Sequence, residues 1–179
     1  MHFKRSTFQR MAVVKIVPIG IEHVEGFHAA LDLVAREKKY LAWFEAPPIE
    51  TTRAFVLHNI ENKVSQFVAL DEDRVVGWCD ICKSNRPAFA HTGTLGIGLI
   101  PEYRGRGIGR ALLLTTLRDA KAQGLERVEL AVYRSNHAAK SLYEKIGFKV
   151  EGLKRRSVKI DGHYDDDYIM ALFFDEVEL

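Results

Sequence analysis

Three arginines and three glycines interleave in Arg104-Gly105-Arg106-Gly107-Ile108-Gly109-Arg110. An apolar run ends just before them at Leu99-Ile100-Pro101, and an amphipathic stretch begins at once behind them. A loop that enters a helix this way offers unpaired N–H groups and the positive end of a helix dipole. Glycines let a phosphate approach those N–H groups closely, and guanidinium forks add charge-assisted donors. The expected chemistry is capture of a phosphorylated ligand, a pyrophosphate above all, at residues 104–110.

Two familiar phosphate motifs do not fit. A P-loop needs Lys-Ser or Lys-Thr after its glycines, and neither follows here. A dinucleotide fingerprint needs G-x-G-x-x-G, whereas the order is Gly105-x-Gly107-x-Gly109. Its acidic residue would have to be Glu129, which lies inside a predicted strand. A plain connecting turn would not require three arginines.

The remaining composition is that of a folded domain. The chain has 179 residues, of which 47% are hydrophobic and 28% charged, enough for one core without a covalent staple. A net charge of +2 gives no whole-chain field for nucleic acid or membrane. No apolar run approaches the ~20 residues of a membrane span. The two cysteines, Cys79 and Cys82, form a C-x-x-C within a strand pattern. Residues three apart on a strand point to opposite faces, so the thiols cannot share a metal, and no second pair completes a zinc site. Free thiols in a reducing cytoplasm, and no metal, are the expectation. Residues 1–10 are basic with no apolar segment behind them, and read as a loose tail before a single domain at 11–179. Met11 is an alternative start to Met1.

The elements that must carry the loop alternate along the chain. Strands are expected at Val13–Ile19, Gln66–Leu70, Arg74–Cys82, Thr94–Ile100, Arg127–Tyr133, Phe148–Ile160 and His163–Phe174. Helices are expected at Glu22–Glu37, from a Thr51 or Thr52 cap to Glu61, at Ile108–Gln123 and at Asn136–Ile146. Asp161-Gly162 is a strong hairpin signal. The order β-α-α-β-β-β-α-β-α-β-β makes the fold mixed α/β (α+β in style). Its sheet of about seven strands is mostly antiparallel, with one parallel pair across the long helix and about four helices in all.

Arg104-x-x-Gly107-x-Gly109 resembles the Q/R-x-x-G-x-G/A signature of the GNAT superfamily of N-acetyltransferases. Asn136-His-Ala-Ala-Lys-Ser-Leu-Tyr-Glu-Lys-Ile-Gly-Phe148 is similar to that family's second cofactor segment, N-x-x-A-x-x-x-Y-x-x-x-G-F. Both occur in order over roughly residues 94–150, with a strand and helices between them.

The resemblance implies acetyl-CoA as co-substrate, bound between two splayed parallel strands, here Thr94–Ile100 and Arg127–Tyr133. Pantetheine would follow the first strand at Leu99, Ile100 and Pro101. The pyrophosphate would sit on N–H groups from Arg104, Gly105, Arg106, Gly107, Ile108, Gly109 and Arg110. Gly96 and Gly98 are consistent with a bulge that opens the sheet. The Leu99 N–H could polarise the thioester carbonyl. Tyr143, two turns along its helix, would protonate the departing thiolate, although it also falls on the apolar stripe of Ala139, Leu142 and Ile146. Asn136 can cap its helix and bond to the coenzyme.

The implied partner is a primary amine, an amino acid or a similar small molecule, attacked directly in a ternary complex. Protein N-terminal acetylation and a non-catalytic CoA-binding module are the alternatives. A homodimer follows by analogy with the fold. Candidate bases are Glu45, Asp80, His91 and Glu129. Trp43, Phe44 and Glu45 could wall the acceptor pocket. Asp165-Asp-Asp167 reads as a solvated edge or a cation attractor. Lys154-Arg-Arg156 reads as a solvated turn or a contact for the CoA 3′-phosphate.

Overall fold

A computed structural model describes residues 13–179, so the expected tail lies outside the described residues. Apolar residues at helical spacing form α1 (Val24–Arg36), where Val24, Phe27, Ala30 and Val34 are buried. The second helix, α2 (Ile49–Glu61), follows the Pro47-Pro48 break. Its N-cap is Pro48 rather than a threonine, and Thr52 is buried one turn inside. Proline fixes its own φ and needs no N–H at a helix start, so it begins the helix before either threonine could cap it.

The strands are β1 (Lys15–Pro18), β2 (Ser65–Asp71), β3 (Arg74–Lys83), β4 (Thr92–Leu99), β5 (Arg127–Tyr133), β6 (Lys149–Ile160) and β7 (His163–Phe173). They make one sheet in the order β1-β2-β3-β4-β5-β7-β6, with the element order expected from the chain. The β6–β7 turn places Asp161 at φ 46° and Gly162 at φ 85°, as a tight hairpin demands. The long helix α3 (Ile108–Ala122) and the short α4 (His137–Ile146) complete the chain.

Alternation along β3 assigns the two sheet faces. Trp78 meets Phe27 of α1 edge-on at 5.6 Å. The next residue, Cys79, is buried against Thr116 of α3. Helix α1 therefore covers one face and α3 the other, with Leu112, Leu113 and Leu117 fully buried beneath α3. The thiols divide as strand geometry requires, and both cysteines are free.

Among the described residues β4 and β5 are the only parallel pair, joined just at Thr92–Thr94 and Arg127–Glu129. Beyond that point β4 stays with β3 as far as Leu99, and β5 stays with β7 as far as Tyr133. The two strands splay apart between continuous halves of the sheet.

No bulge causes this. β4 keeps unbroken register with β3 through Gly96 and Gly98, and the irregularity in that half lies in β2 between Ala69 and Leu70. The two glycines answer instead to their cross-strand neighbours. A Cβ at Gly98 would lie 2.2 Å from the Trp78 ring, and one at Gly96 would lie 3.1 Å from the Asp80 carboxylate.

Candidate active site

The splay opens a cavity of about 520 Å³, lined by Leu95–Leu99 of β4 and Leu130–Tyr133 of β5. Gly105, Gly107, Gly109 and Arg110 close one end of it, Asn136, Leu142 and Tyr143 of the α4 segment form a wall, and Tyr40 and Leu41 form a rim. The Ile100 N–H donates to Val76 O at 3.0 Å on the β3 side. Main-chain groups alternate along a strand, so Leu99 and Ile97 turn theirs toward the missing β5 partner. The cleft thus holds a sheet edge inside the sheet, and edges are templates for an added extended chain.

A short 3-10 turn, Pro101–Tyr103, joins that edge to the glycine loop. Gly105 at φ 71° and Gly107 at φ 80° adopt the left-handed region, which glycine occupies without strain. Gly107 is the N-cap of α3. Six successive N–H groups, Gly105 through Arg110, bond to no main-chain acceptor among the described residues; the first bond back is Ala111 N–H to Gly107 O at 3.1 Å. Arg106 stacks on Tyr103 with its guanidinium 5.2 Å from the ring. Neither Arg106 nor Arg110 enters an ion pair among the described residues, which leaves both charges available. The loop is an anion cradle of main-chain donors with two uncompensated cations beside it.

Arg104 is placed differently from its two neighbours. Its N–H donates to Pro101 O, and its Nε donates to Leu99 O at 2.8 Å. Its two terminal nitrogens grip Glu37 at 2.8 and 2.5 Å, and its plane lies 4.8 Å from the Tyr40 ring. The Glu37 carboxylate holds the guanidinium protonated even above its ordinary value. Three of its five side-chain N–H groups are bonded within the chain, tying the glycine loop to the segment after α1, and it also lines the cavity. Ile100 is buried in the core, and Pro101 begins a short 3-10 turn. Along with Arg106 and Ile108, they lie outside the cavity lining.

Asn136 caps α4, its Oδ1 accepting from Ala139 N–H at 3.2 Å, and it also lines the cavity. Tyr143 is both a core and a cavity residue: it is 7% exposed, packs on Phe148 at 5.7 Å between ring centroids and lines the cleft. Burial, with the Cys79 thiol nearby, raises its phenol well above the ordinary value. It stays protonated at neutral pH and can serve as an acid.

The four candidate bases separate sharply. Glu45 is exposed and faces Arg36 at 3.5 Å, His91 is exposed in the turn before β4, and Glu129 is held by Arg127 at 3.1 Å. Asp80 alone is buried, 9% exposed, and it has no cation partner among the described residues. Trp43 and Phe44 are 60% and 45% exposed, so they do not anchor the core. Asp165 binds Ser135, and Asp166 binds Arg134 and the Arg156 N–H. Asp167 buries an Oδ1 with no donor among the described residues. Glu37 and Tyr40 escaped sequence reasoning because they sit in an ordinary charged run, 67 and 64 positions before the arginine they meet.

Matched against known families, residues 29–148 fit the acetyltransferase (GNAT) family. The match spans more than half the chain, and the chain belongs to that family. Among curated relatives, the L-amino acid N-acetyltransferase AaaT of Escherichia coli is 31% identical over 109 residues, 60% of this chain and 67% of that one. Among solved structures, the GNAT-family acetyltransferase of Streptococcus pneumoniae has a TM-score of 0.84 at 25% identity, covering 90% of this chain and all of its own. The protein yncA of Salmonella typhimurium, solved with its cofactor acetyl-CoA, has a TM-score of 0.86 at 17% identity, covering 93% and 97%.

Proposed function

We propose that this chain moves an acetyl group from acetyl-CoA to the amine of an amino acid or a similar small molecule, by direct attack in a ternary complex. The observation that carries this is the free β4 edge at Ile97 and Leu99, followed after one short turn by six unbonded N–H groups. An extended arm ending in a diphosphate fits those two sets of donors. Pantetheine adds to the edge at Ile97 and Leu99, and the diphosphate lies on Gly105 through Arg110. The Leu99 N–H polarises the thioester carbonyl, where negative charge develops. Tyr143 supplies the proton that the departing sulfur needs. The acetyl-CoA complex of yncA supports the choice of donor, and the activity named for AaaT supports an amino acid acceptor.

A thiol-release screen over amino acids, polyamines, aminoglycosides and N-terminal peptides tests the proposal. Release is expected with amino acids, matched one to one by N-acetyl product, and without a burst of acetyl-enzyme. Release with peptides alone would move the acceptor to a protein N-terminus. Binding of acetyl-CoA with no release for any amine would leave a coenzyme-binding module.

A further inference from the structure

We propose that Asp80 is the group that receives the acceptor's ammonium and takes its proton before attack, an inference resting on the transfer reaction proposed above. The geometry is that of a carboxylate set into the sheet beside the cleft. Asp80 lies on the α1 face of β3, directly opposite Gly96 of β4, and Gly96 lines the cavity. A Cβ there would come within 3.1 and 3.4 Å of the two carboxylate oxygens. Asp80 is not itself among the residues lining the cavity; the missing side chain leaves only the bare Gly96 backbone between its carboxylate and the cleft, through which an amine at the splay would meet it.

Among the described residues this carboxylate has no ion pair. The one donor to it among the described residues is the Cys82 thiol, 3.6 Å from Oδ1. β2 sets the neutral Gln66 opposite it, whose Oε1 is taken by Asn59 and whose Nε2 is buried without a partner. The ionisable groups of the helices over this face are engaged elsewhere. His28 binds Pro47 O, Arg36 binds Asp32 and Glu45, Arg53 binds Glu25 and Glu50, and His58 faces Asn62. On β5, Glu129 is held by Arg127. A buried carboxylate without a cation is costly, and a substrate ammonium is the partner that offsets that cost.

Burial pushes the Asp80 carboxyl up to about 7, while Cys82 rises to about 12 and Cys79 rises further. Asp80 is therefore the member of this cluster that titrates at neutral pH, where a base is most effective. The step balances. An ammonium gives one proton to the carboxylate, and the amine nitrogen bonds to the thioester carbon. The carbon–sulfur bond breaks, the second proton shed by nitrogen ends on sulfur through Tyr143, and Asp80 returns its proton to water.

The test uses the amino acid most active in the thiol-release screen, alongside its amide, whose amine is a weaker base. Asp80→Asn is expected to keep acetyl-CoA affinity within about twofold by calorimetry, and to lose on the order of 100-fold in kcat with the amino acid at pH 7. The loss with the amide should be several-fold smaller, because more of that amine is already neutral. The wild-type limb near pH 7 should disappear in Asp80→Asn and persist in Asp80→Glu. Undiminished turnover in Asp80→Asn, an unchanged pH limb, or an equal loss with both acceptors would overturn the assignment. A wild-type protein that acetylates no amine would overturn the transfer reaction and this step together, and would do so before any variant is compared.

Discussion

Replacing Asp80 by Asn should make the protein more stable at alkaline pH while disabling it. The carboxyl shifts from an ordinary 3.8 to about 7 on folding, because burial penalises its charged form. That shift corresponds to roughly 4 kcal/mol against the ionised state. The sign follows from linkage: a group whose folded value is raised holds its proton more tightly in the fold. Its contribution is complete below about pH 4 and is lost as pH rises through about 7. Asn has the same shape and no such penalty. Urea denaturation of both proteins from pH 5 to pH 8 reads the difference. At pH 5 the variant should already lead by about 1–2 kcal/mol, and by pH 8 the lead should grow to at most about 4 kcal/mol. The upper figure is a ceiling, since water and the free Gln66 Nε2 can relax toward the anion. Stability curves that run parallel across this range would refute a raised Asp80. A natural residue that lowers stability is expected where function demands it.

Other outcomes follow from the same geometry. Tyr143→Phe should bind acetyl-CoA normally by calorimetry yet lose about 10²-fold in turnover, since only the acidic proton is removed. Gly98→Ala drives a methyl to 2.2 Å from the Trp78 ring and should cost about 1–3 kcal/mol, read as a lower Tm. Glu37→Gln leaves the half-buried Arg104 with a weaker partner and should cost roughly 1–2 kcal/mol in denaturant melts. Gly107→Ala forces a side chain into φ 80° and should weaken acetyl-CoA binding while costing about 1 kcal/mol of stability.

The element order was legible because each element carries its own local code. Alternating Arg127–Tyr133, the apolar stripe of α4 and the Asp161-Gly162 turn depend on near neighbours only. The glycine loop was legible for the same reason, since φ above zero and an exposed helix start are local demands. Other features were not. The splay is a relation between strands more than thirty residues apart, and the family resemblance, not periodicity, pointed to it. Gly96 and Gly98 suggested a bulge because glycine in a strand has two explanations, and the large side chains across from them decided which applied. The sequence shows Arg104 only as a phosphate-side cation, because its ion pair with Glu37, 67 residues away, is a long-range contact. Asp80 stood among four candidates because a single charge in an apolar strand does not reveal whether a cation lies beside it.

The most direct measurement is an amide NMR titration of the 15N-labelled protein with acetyl-CoA, and separately with pantetheine lacking the diphosphate. Acetyl-CoA should move the amides of Gly105 through Arg110 together with Ile97 and Leu99, while pantetheine should move only the two β4 amides. Acetyl-CoA that binds without disturbing the loop amides would contradict a diphosphate held at the entrance to α3.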